Sequence, residues 1–415
     1  MRPLRRLVAL CLAVVAGVMV WRHTHEARAQ STSDPGLTLP AGFHATVFAD
    51  QLGRARHFAI APNGDMFLAV AGDHGGLVAL RDTNGDGTAD TTVWLSHAAD
   101  GSDVHLVTEH PSYIYFSTNT TIVRFPWIPG NLTAAGQADT IVRDLPATGD
   151  HVSKSFVLEP DGALYVNIGS ATNACQHENR SPGSPGYQPC TELETRAGIW
   201  KFDANKTDQR QADGVHFAQG LRNTVAFTRG PDGTLYGVMH GRDQLSNNWP
   251  KLFNDSASAE KPSEEFVHIE QGDDFGWPYC YHDPALGHLV LAPEYGGDGQ
   301  QVGVCAQKKE PILAFPAHWA PDGLVFYTDS MFPAAYRGGA FIAFHGSWNR
   351  APLPQQGYKV VFVPFADGKP TGTYQTFADG FRGASVAHRP VGLGLGPHGA
   401  LFVSDDRGGR IYKIT

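Results

Sequence analysis

The chain has 415 residues, with 32 basic and 41 acidic side chains and a formal net charge of −9. An acidic balance argues against nucleic acid and anionic membrane surfaces as partners, since both call for clustered positive charge. The 47 Gly and 28 Pro, with little helical periodicity, indicate a turn-rich all-β chain.

In chain order, Arg2, Arg5 and Arg6 precede an apolar run from Leu7 to Trp21, and Ala27-Arg28-Ala29 follows as an A-x-A cleavage pattern. Residues 1–29 therefore read as a secretory signal peptide cut after Ala29. The rival is an uncleaved anchor, but an apolar run of about 15 residues is short for the roughly 20 that cross a bilayer. Removing five Arg and one Glu with that segment takes 32 basic and 41 acidic residues to 27 and 40, a net charge of −13. The remainder, 30–415, has no Pro/Ser linker and no later membrane-spanning run. It is expected to be a single domain, periplasmic or secreted.

A short phrase of Pro, tight turn and apolar strand then returns six times. It begins at Pro62-Asn63-Gly64, Pro111-Ser112-Tyr113, Pro160-Asp161-Gly162, Pro231-Asp232-Gly233, Pro321-Asp322-Gly323 and Pro397-His398-Gly399. Asn-Gly and Asp-Gly supply the positive φ of a hairpin turn. One hairpin per unit, repeated six times, predicts a six-bladed β-propeller, with function gathered from scattered loops around one axis. The last strands, Ala400–Val403 and Arg410–Ile414, are predicted to pair with Ala45–Phe48, which closes the ring and removes sheet edges.

Between the first two turns, Asp82, Asn84, Asp86 and Asp90 stand at positions 1, 3, 5 and 9 of a loop with Gly at position 6, the spacing of an EF-hand-type calcium loop. Position 12 is Val93 rather than Glu. The loop reads either as a structural Ca²⁺ site or as an Asx-rich turn. Further on, Cys175, Cys190, Cys280 and Cys305 form an even set in an exported chain. Proximity pairs Cys175 with Cys190 and Cys280 with Cys305, one of three connectivities, with free buried thiols as the alternative. The segments 171–195 and 243–263 are expected to be long loops over the top face.

Polar clusters flank the repeat strands at comparable offsets: Asp150-His151-Val152-Ser153-Lys154, Gly220-Leu221-Arg222-Asn223, Met239-His240-Gly241-Arg242-Asp243, His345-Gly346-Ser347-Trp348-Asn349-Arg350 and His388-Arg389-Pro390. Arg56, His105 and His318 precede similar strands. In a propeller, equal offset places residues at the same end of the funnel. An Arg-rich pocket there is an anion site, and His adds a base neutral near physiological pH.

The residues Asp150-His151 with Phe156–Gly169, Gly220-Leu221-Arg222-Asn223, Gly272-Asp273-Asp274-Phe275-Gly276-Trp277-Pro278 and Phe341–Arg350 carry a resemblance over nearly all of the chain beyond the signal. It resembles the soluble pyrroloquinoline-quinone (PQQ) dependent sugar dehydrogenases, most closely the sorbosone and pyranose dehydrogenase branch. The resemblance implies a six-bladed propeller that oxidises a sugar or sugar aldehyde with PQQ and Ca²⁺. It implies His151 as general base, and Arg222 and Asn223 as holders of the cofactor and its reactive carbonyl. Arg389 corresponds to a carboxylate clamp, and Asn349 or Arg350 lies near a cofactor-contacting lysine of the family. The backbone carbonyls of His240, Gly241 and Arg242 correspond to the holders of the cofactor-linked Ca²⁺. Arg56, His105, His318 and His345 complete the expected cofactor pocket. Ser170 stands where the glucose-oxidising branch has Asp, and Val391 where it has a second Arg, so glucose does not follow as the substrate. No Cys-x-x-Cys-His haem motif occurs, so electrons are expected to leave to an external acceptor, a cytochrome or a quinone. The rival readings are a Ca²⁺-dependent lactonase-like hydrolase, which needs several Asp, Asn and Glu at the axis, and a non-catalytic ligand-binding propeller.

Overall fold

A computed structural model describes residues 30–33 and 35–415. The expected signal peptide, 1–29, lies outside the described residues. Six four-stranded antiparallel sheets follow one another along the chain. Blade 1 has strands Arg54–Ile60, Met66–Ala71, Gly76–Arg81 and Thr91–Ser96, and blade 2 has Asp103–Val107, Tyr113–Ser117, Ile122–Pro126 and Asp139–Val142. Blade 3 comprises Phe156–Leu158, Ala163–Ile168, Gly198–Asp203 and Val215–Gln219, and blade 4 comprises Ala226–Arg229, Leu235–Met239, Glu264–Ile269 and Leu313–Phe315. Blade 5 is built from Pro321–Phe326, Ala340–Phe344, Lys359–Val363 and Gln375–Ala378. Blade 6 joins Pro390–Leu395, Leu401–Asp405 and Arg410–Ile414 to the N-terminal strand Ala45–Ala49. The first strand of every blade touches the first strand of both neighbours, which closes a six-bladed β-propeller around an axis.

The closing register pairs Ala45 with Ile414 and Val47 with Tyr412, as the sequence predicts. Phe48 then packs edge-on against Phe402 at 5.3 Å. Each of the six large apolar clusters fills the gap between two adjacent blades; Phe67 and Ala79 of blade 1, for example, meet Val104 and Phe116 of blade 2. Because a blade is covered on both faces, its second strand is buried over most or all of its length, as in Met66–Val70 and Ala340–Phe344. The alternating pattern expected from a half-buried strand gives way there to continuous apolar runs.

Four of the expected turns carry glycine at positive φ: Gly64 (93°), Gly162 (88°), Gly233 (82°) and Gly399 (89°). The turn expected at Pro321-Asp322-Gly323 is a correction. These residues begin the innermost strand of blade 5, where Pro321 pairs with Phe344 and Gly323 with Ala343. A Cβ on Gly323 would sit 2.0 Å from the Val391 carbonyl, so this glycine serves the close approach of blade 6 rather than a turn. Asp322 is thereby delivered to the axis.

The two disulfides form as paired by proximity, Cys175–Cys190 and Cys280–Cys305. The 171–195 segment lies against the funnel, and 243–263 holds two short helices, Leu245–Asn248 and Asp255–Glu260. No helix among the described residues is long and apolar enough to cross a membrane. In the 82–90 loop, Asp82 accepts the Gly85 and Gly87 amides (2.7 and 2.8 Å), and Asp90 accepts the Thr83 hydroxyl (2.6 Å). Asn84 and Asp86 bond to one another at 3.1 Å. Among the described residues, no group of three or more His, Cys, Asp and Glu is arranged to hold a metal ion.

Candidate active site

Two cavities, of about 310 and 250 Å³, occupy the funnel, and Asp150 and His151 line both. The larger is also lined by Arg180, Arg222, His240, Gly241, Asp243, Glu264, His318 and Asn349, and the smaller by Arg54, Arg56, Ser153, Asn223 and Asp322.

His151 follows the long connection from blade 2 into blade 3. Its Nδ1 lies 3.0 Å from the Ser170 carbonyl and 2.9 Å from Ser170 Oγ. Ser170 Oγ spends its own proton on the Thr172 carbonyl at 2.7 Å. A carbonyl only accepts, so this network assigns the proton to Nδ1 and leaves a lone pair on Nε2. No partner for Nε2 occurs among the described residues. Burial, then the nearby Arg222 and His240, push the His151 pKa well below its ordinary value, so the ring is neutral at physiological pH. Gly169 permits this packing: a Cβ there would come within 2.6 Å of the His151 Cβ and 2.9 Å of Asn223 Oδ1.

Arg222 is 3% exposed and held from four directions. Its Nε donates to the Asn173 carbonyl (3.1 Å), Nη1 to the Gly241 carbonyl (2.9 Å), and Nη2 to Asn173 Oδ1 (3.0 Å) and Asp243 Oδ2 (3.1 Å). Four of the five guanidinium N–H groups are thus committed, which leaves one on Nη1.

Asp243 is the hub opposite. Its second oxygen, Oδ1, accepts Asn349 Nδ2 at 2.7 Å and faces His318 Nδ1 at 3.7 Å, while Arg180 reaches Oδ2 at 3.3 Å. Burial opposes its charge, yet His318, Arg222 and Arg180 hold the carboxyl well below the usual carboxylate range. The reciprocal effect raises His318 against its own desolvation, with the Ser258 carbonyl accepting His318 Nε2 at 2.8 Å. Arg180, carried by the Cys175–Cys190 loop, also clasps Asp150 at 2.8 Å and Gln244 at 3.0 Å. That loop forms one wall of the cavity.

A second ionic chain circles the axis. Asp322 Oδ1 lies 3.1 Å from His240 Nε2, and Arg56 bridges Asp322 (3.4 Å) and Asp406 (2.9 Å). Asp406 holds His345 Nε2 at 2.8 Å, and His345 Nδ1 meets Arg389 at 3.2 Å. Burial resists the charge on His240, but Asp322 raises its pKa, and the Asp322 carboxyl is held well below the usual range. Arg389 lies over the Tyr358 ring at 5.0 Å and donates to the Gly346 carbonyl at 2.8 Å.

His151, Arg222, Asn223, Arg56, His240, Gly241, His318 and Asn349 therefore meet at one funnel. His345 and Arg389 join it through Asp406. Arg350 is turned away and ties the Ala259 and Ala317 carbonyls together at 2.7 and 2.8 Å. Arg242 is buried behind the wall against Glu294. His105 sits on the inner strand of blade 2 with its ring on Phe156 (4.6 Å), outside the lining of both cavities. The residues that the sequence reading left without a role are Asp243, Asp322, Asp406, Glu264 and Arg180. Asp243 was visible beside Arg242, whereas Asp322 was hidden inside an apparent turn.

The family described as TrAA12-like matches residues 37–415. A Borreliella burgdorferi protein is 32% identical over 204 residues, 48% of each chain, so this chain spans about half the length of that relative. A protein of Hypocrea jecorina (strain QM6a) named pyrroloquinoline quinone-dependent sugar dehydrogenase is 24% identical over 429 residues, covering 92% of this chain and 91% of its own. Among solved structures, the holo form of the pyranose dehydrogenase PQQ domain from Coprinopsis cinerea superposes with a TM-score of 0.74 at 20% identity, over 93% of this chain and 100% of that one.

Proposed function

Because the chain belongs to the TrAA12-like family, we propose that it is a PQQ-dependent dehydrogenase that oxidises a sugar or sugar aldehyde and passes electrons to an external acceptor. The observation that carries this reading is the bare Nε2 of a neutral, tautomer-fixed His151 in the wall common to two cavities, beside a rigid Arg222.

The residues present fit the cofactor. Asn223 Oδ1 and Asn349 Oδ1 are buried without a partner among the described residues, as expected of side chains that await a polar ligand. The remaining Nη1–H of Arg222, with Arg56 and His240, offers positive charge to a tricarboxylate. The backbone carbonyls of His240, Gly241 and Arg242 would hold Ca²⁺, an ion that takes such oxygens; the Gly241 carbonyl already accepts one N–H from Arg222 and has a second lone pair.

When bound, PQQ supplies a quinone that accepts hydride from the sugar carbon bearing the hydroxyl. His151 Nε2 takes the hydroxyl proton, while Ser170 fixes the ring through Nδ1. Arg222 cannot swing away, so its charge faces the cavity without reorganisation as negative charge develops. Asp150 and Arg180 shape the mouth on the side of the base. Two disulfides support an oxidising compartment, periplasmic or extracellular.

Calorimetric titration of the purified protein with PQQ in saturating Ca²⁺, followed by dye-linked oxidation of aldoses, tests the proposal. Saturable binding with sugar-dependent dye reduction is the expected result, and absence of PQQ binding overturns it.

A further inference from the structure

Behind the His240–Arg242 segment lies a third void, of about 10 Å³, lined by Met239, Gly241, Arg242, Glu265, Trp277 and Tyr281 among its walls. Three of these residues carry buried side-chain polar atoms without a partner among the described residues: Arg242 Nε, Glu265 Oε2 and Tyr281 Oη. The residues are 4%, 2% and 3% exposed, so bulk water does not serve them. A buried polar atom without a hydrogen-bond partner is destabilising, and three in the walls of one void call for a common partner.

The void has the volume of about one water-sized sphere, the least that admits a water molecule, and polar walls distinguish such a space from a dry apolar cavity. The groups also match water's valence. Arg242 Nε donates, Tyr281 Oη does either, and so does the Glu265 carboxyl, whose pKa burial pushes up to about 8, which keeps it protonated near neutral pH. A cation is disfavoured beside the Arg242 guanidinium.

We infer that one ordered water occupies this void and bridges Arg242, Glu265 and Tyr281. This does not depend on the proposed activity; only its consequence for the cofactor wall does. Arg242 is gripped on its other side by Glu294, which in turn accepts Trp249 Nε1 at 2.8 Å. Its neighbour Gly241 donates its amide N–H to Glu264 (2.7 Å), and its carbonyl accepts Arg222 Nη1 (2.9 Å). The water thus backs the segment that positions Arg222.

High-resolution crystallography of the full chain, without and with Tyr281→Phe and Glu265→Gln, tests the inference. The expected result is one isolated density peak within hydrogen-bonding distance of all three atoms in the parent. It is retained in Glu265→Gln, which keeps an acceptor, and lost or partly occupied in Tyr281→Phe, together with a downward shift of the melting temperature. A dry void in the parent, or direct pairing among the three side chains, overturns it. Unchanged occupancy and melting in Tyr281→Phe does so too. Should Tyr281→Phe fail to fold, the parent density alone decides.

Discussion

At the scale of single residues, the site works by making one ring nitrogen available and denying freedom to everything around it. Ser170 sets the His151 tautomer, and burial with Arg222 keeps the ring neutral. His151→Ala is therefore expected to slow sugar-driven reduction of the bound quinone about 10²–10⁴-fold while PQQ affinity, read by calorimetry, changes little. The pH dependence has a definite sign. His151 is depressed below its ordinary pKa of about 6.5, so the rate rises with pH through a limb below that value and is flat above it, as a pH–kcat/KM profile will show. Asp243 is surrounded by Arg222, Arg180, Asn349 and His318, and Asp243→Ala strips the buried Arg222 and His318 of this counter-ion, while Arg180 keeps Asp150. A loss of about 3–5 kcal/mol in chemical denaturation is expected. Such pairs are also what a sequence hides. The Arg56–Asp322 contact joins residues 266 positions apart, and no local pattern links them. His151, Arg222 and Asn223 were legible because each stands at a fixed offset from a repeat strand.

At the scale of strands and loops, the glycine turns were readable because positive φ leaves a chemical mark on the sequence. Pro321-Asp322-Gly323 bears the same mark for a different reason, the close approach of Val391, and only the packing of two blades reveals it. The closing strand is held by packing as well as by pairing. Phe48→Ala removes a 4%-exposed ring from the seam between blades 6 and 1 and is expected to cost about 3–5 kcal/mol in stability. The Cys175–Cys190 bridge closes a 15-residue separation beneath the loop that carries Arg180. Its double Ser variant should lose about 3 kcal/mol, and mass spectrometry of the native protein should find none of Cys175, Cys190, Cys280 and Cys305 alkylatable. Four alkylatable thiols would contradict that expectation.

At the scale of the whole molecule, closure of the ring turns residues distant in sequence into one site. Ionic chains run from blade 1 through Arg56 to blade 5 at Asp322 and to blade 6 at Asp406. They lock the blades in the register that keeps His151, Arg222 and Asn223 at one funnel. The ring count was legible from six repeated phrases, five of which mark the first hairpin of a blade, while the sixth, at Pro321, begins the inner strand of blade 5. The carboxylates that neutralise the funnel's cations were not, because they serve the assembled ring rather than any one blade. The account stands most directly on single-turnover kinetics of the PQQ-reconstituted protein mixed with an aldopyranose, with quinone absorbance followed in time. It predicts rapid, sugar-dependent bleaching of the quinone band in the parent protein and bleaching slowed about 10²–10⁴-fold in His151→Ala. Equal rates in the two proteins would remove His151 as the base, and a quinone band unmoved by any sugar would contradict the proposed activity itself.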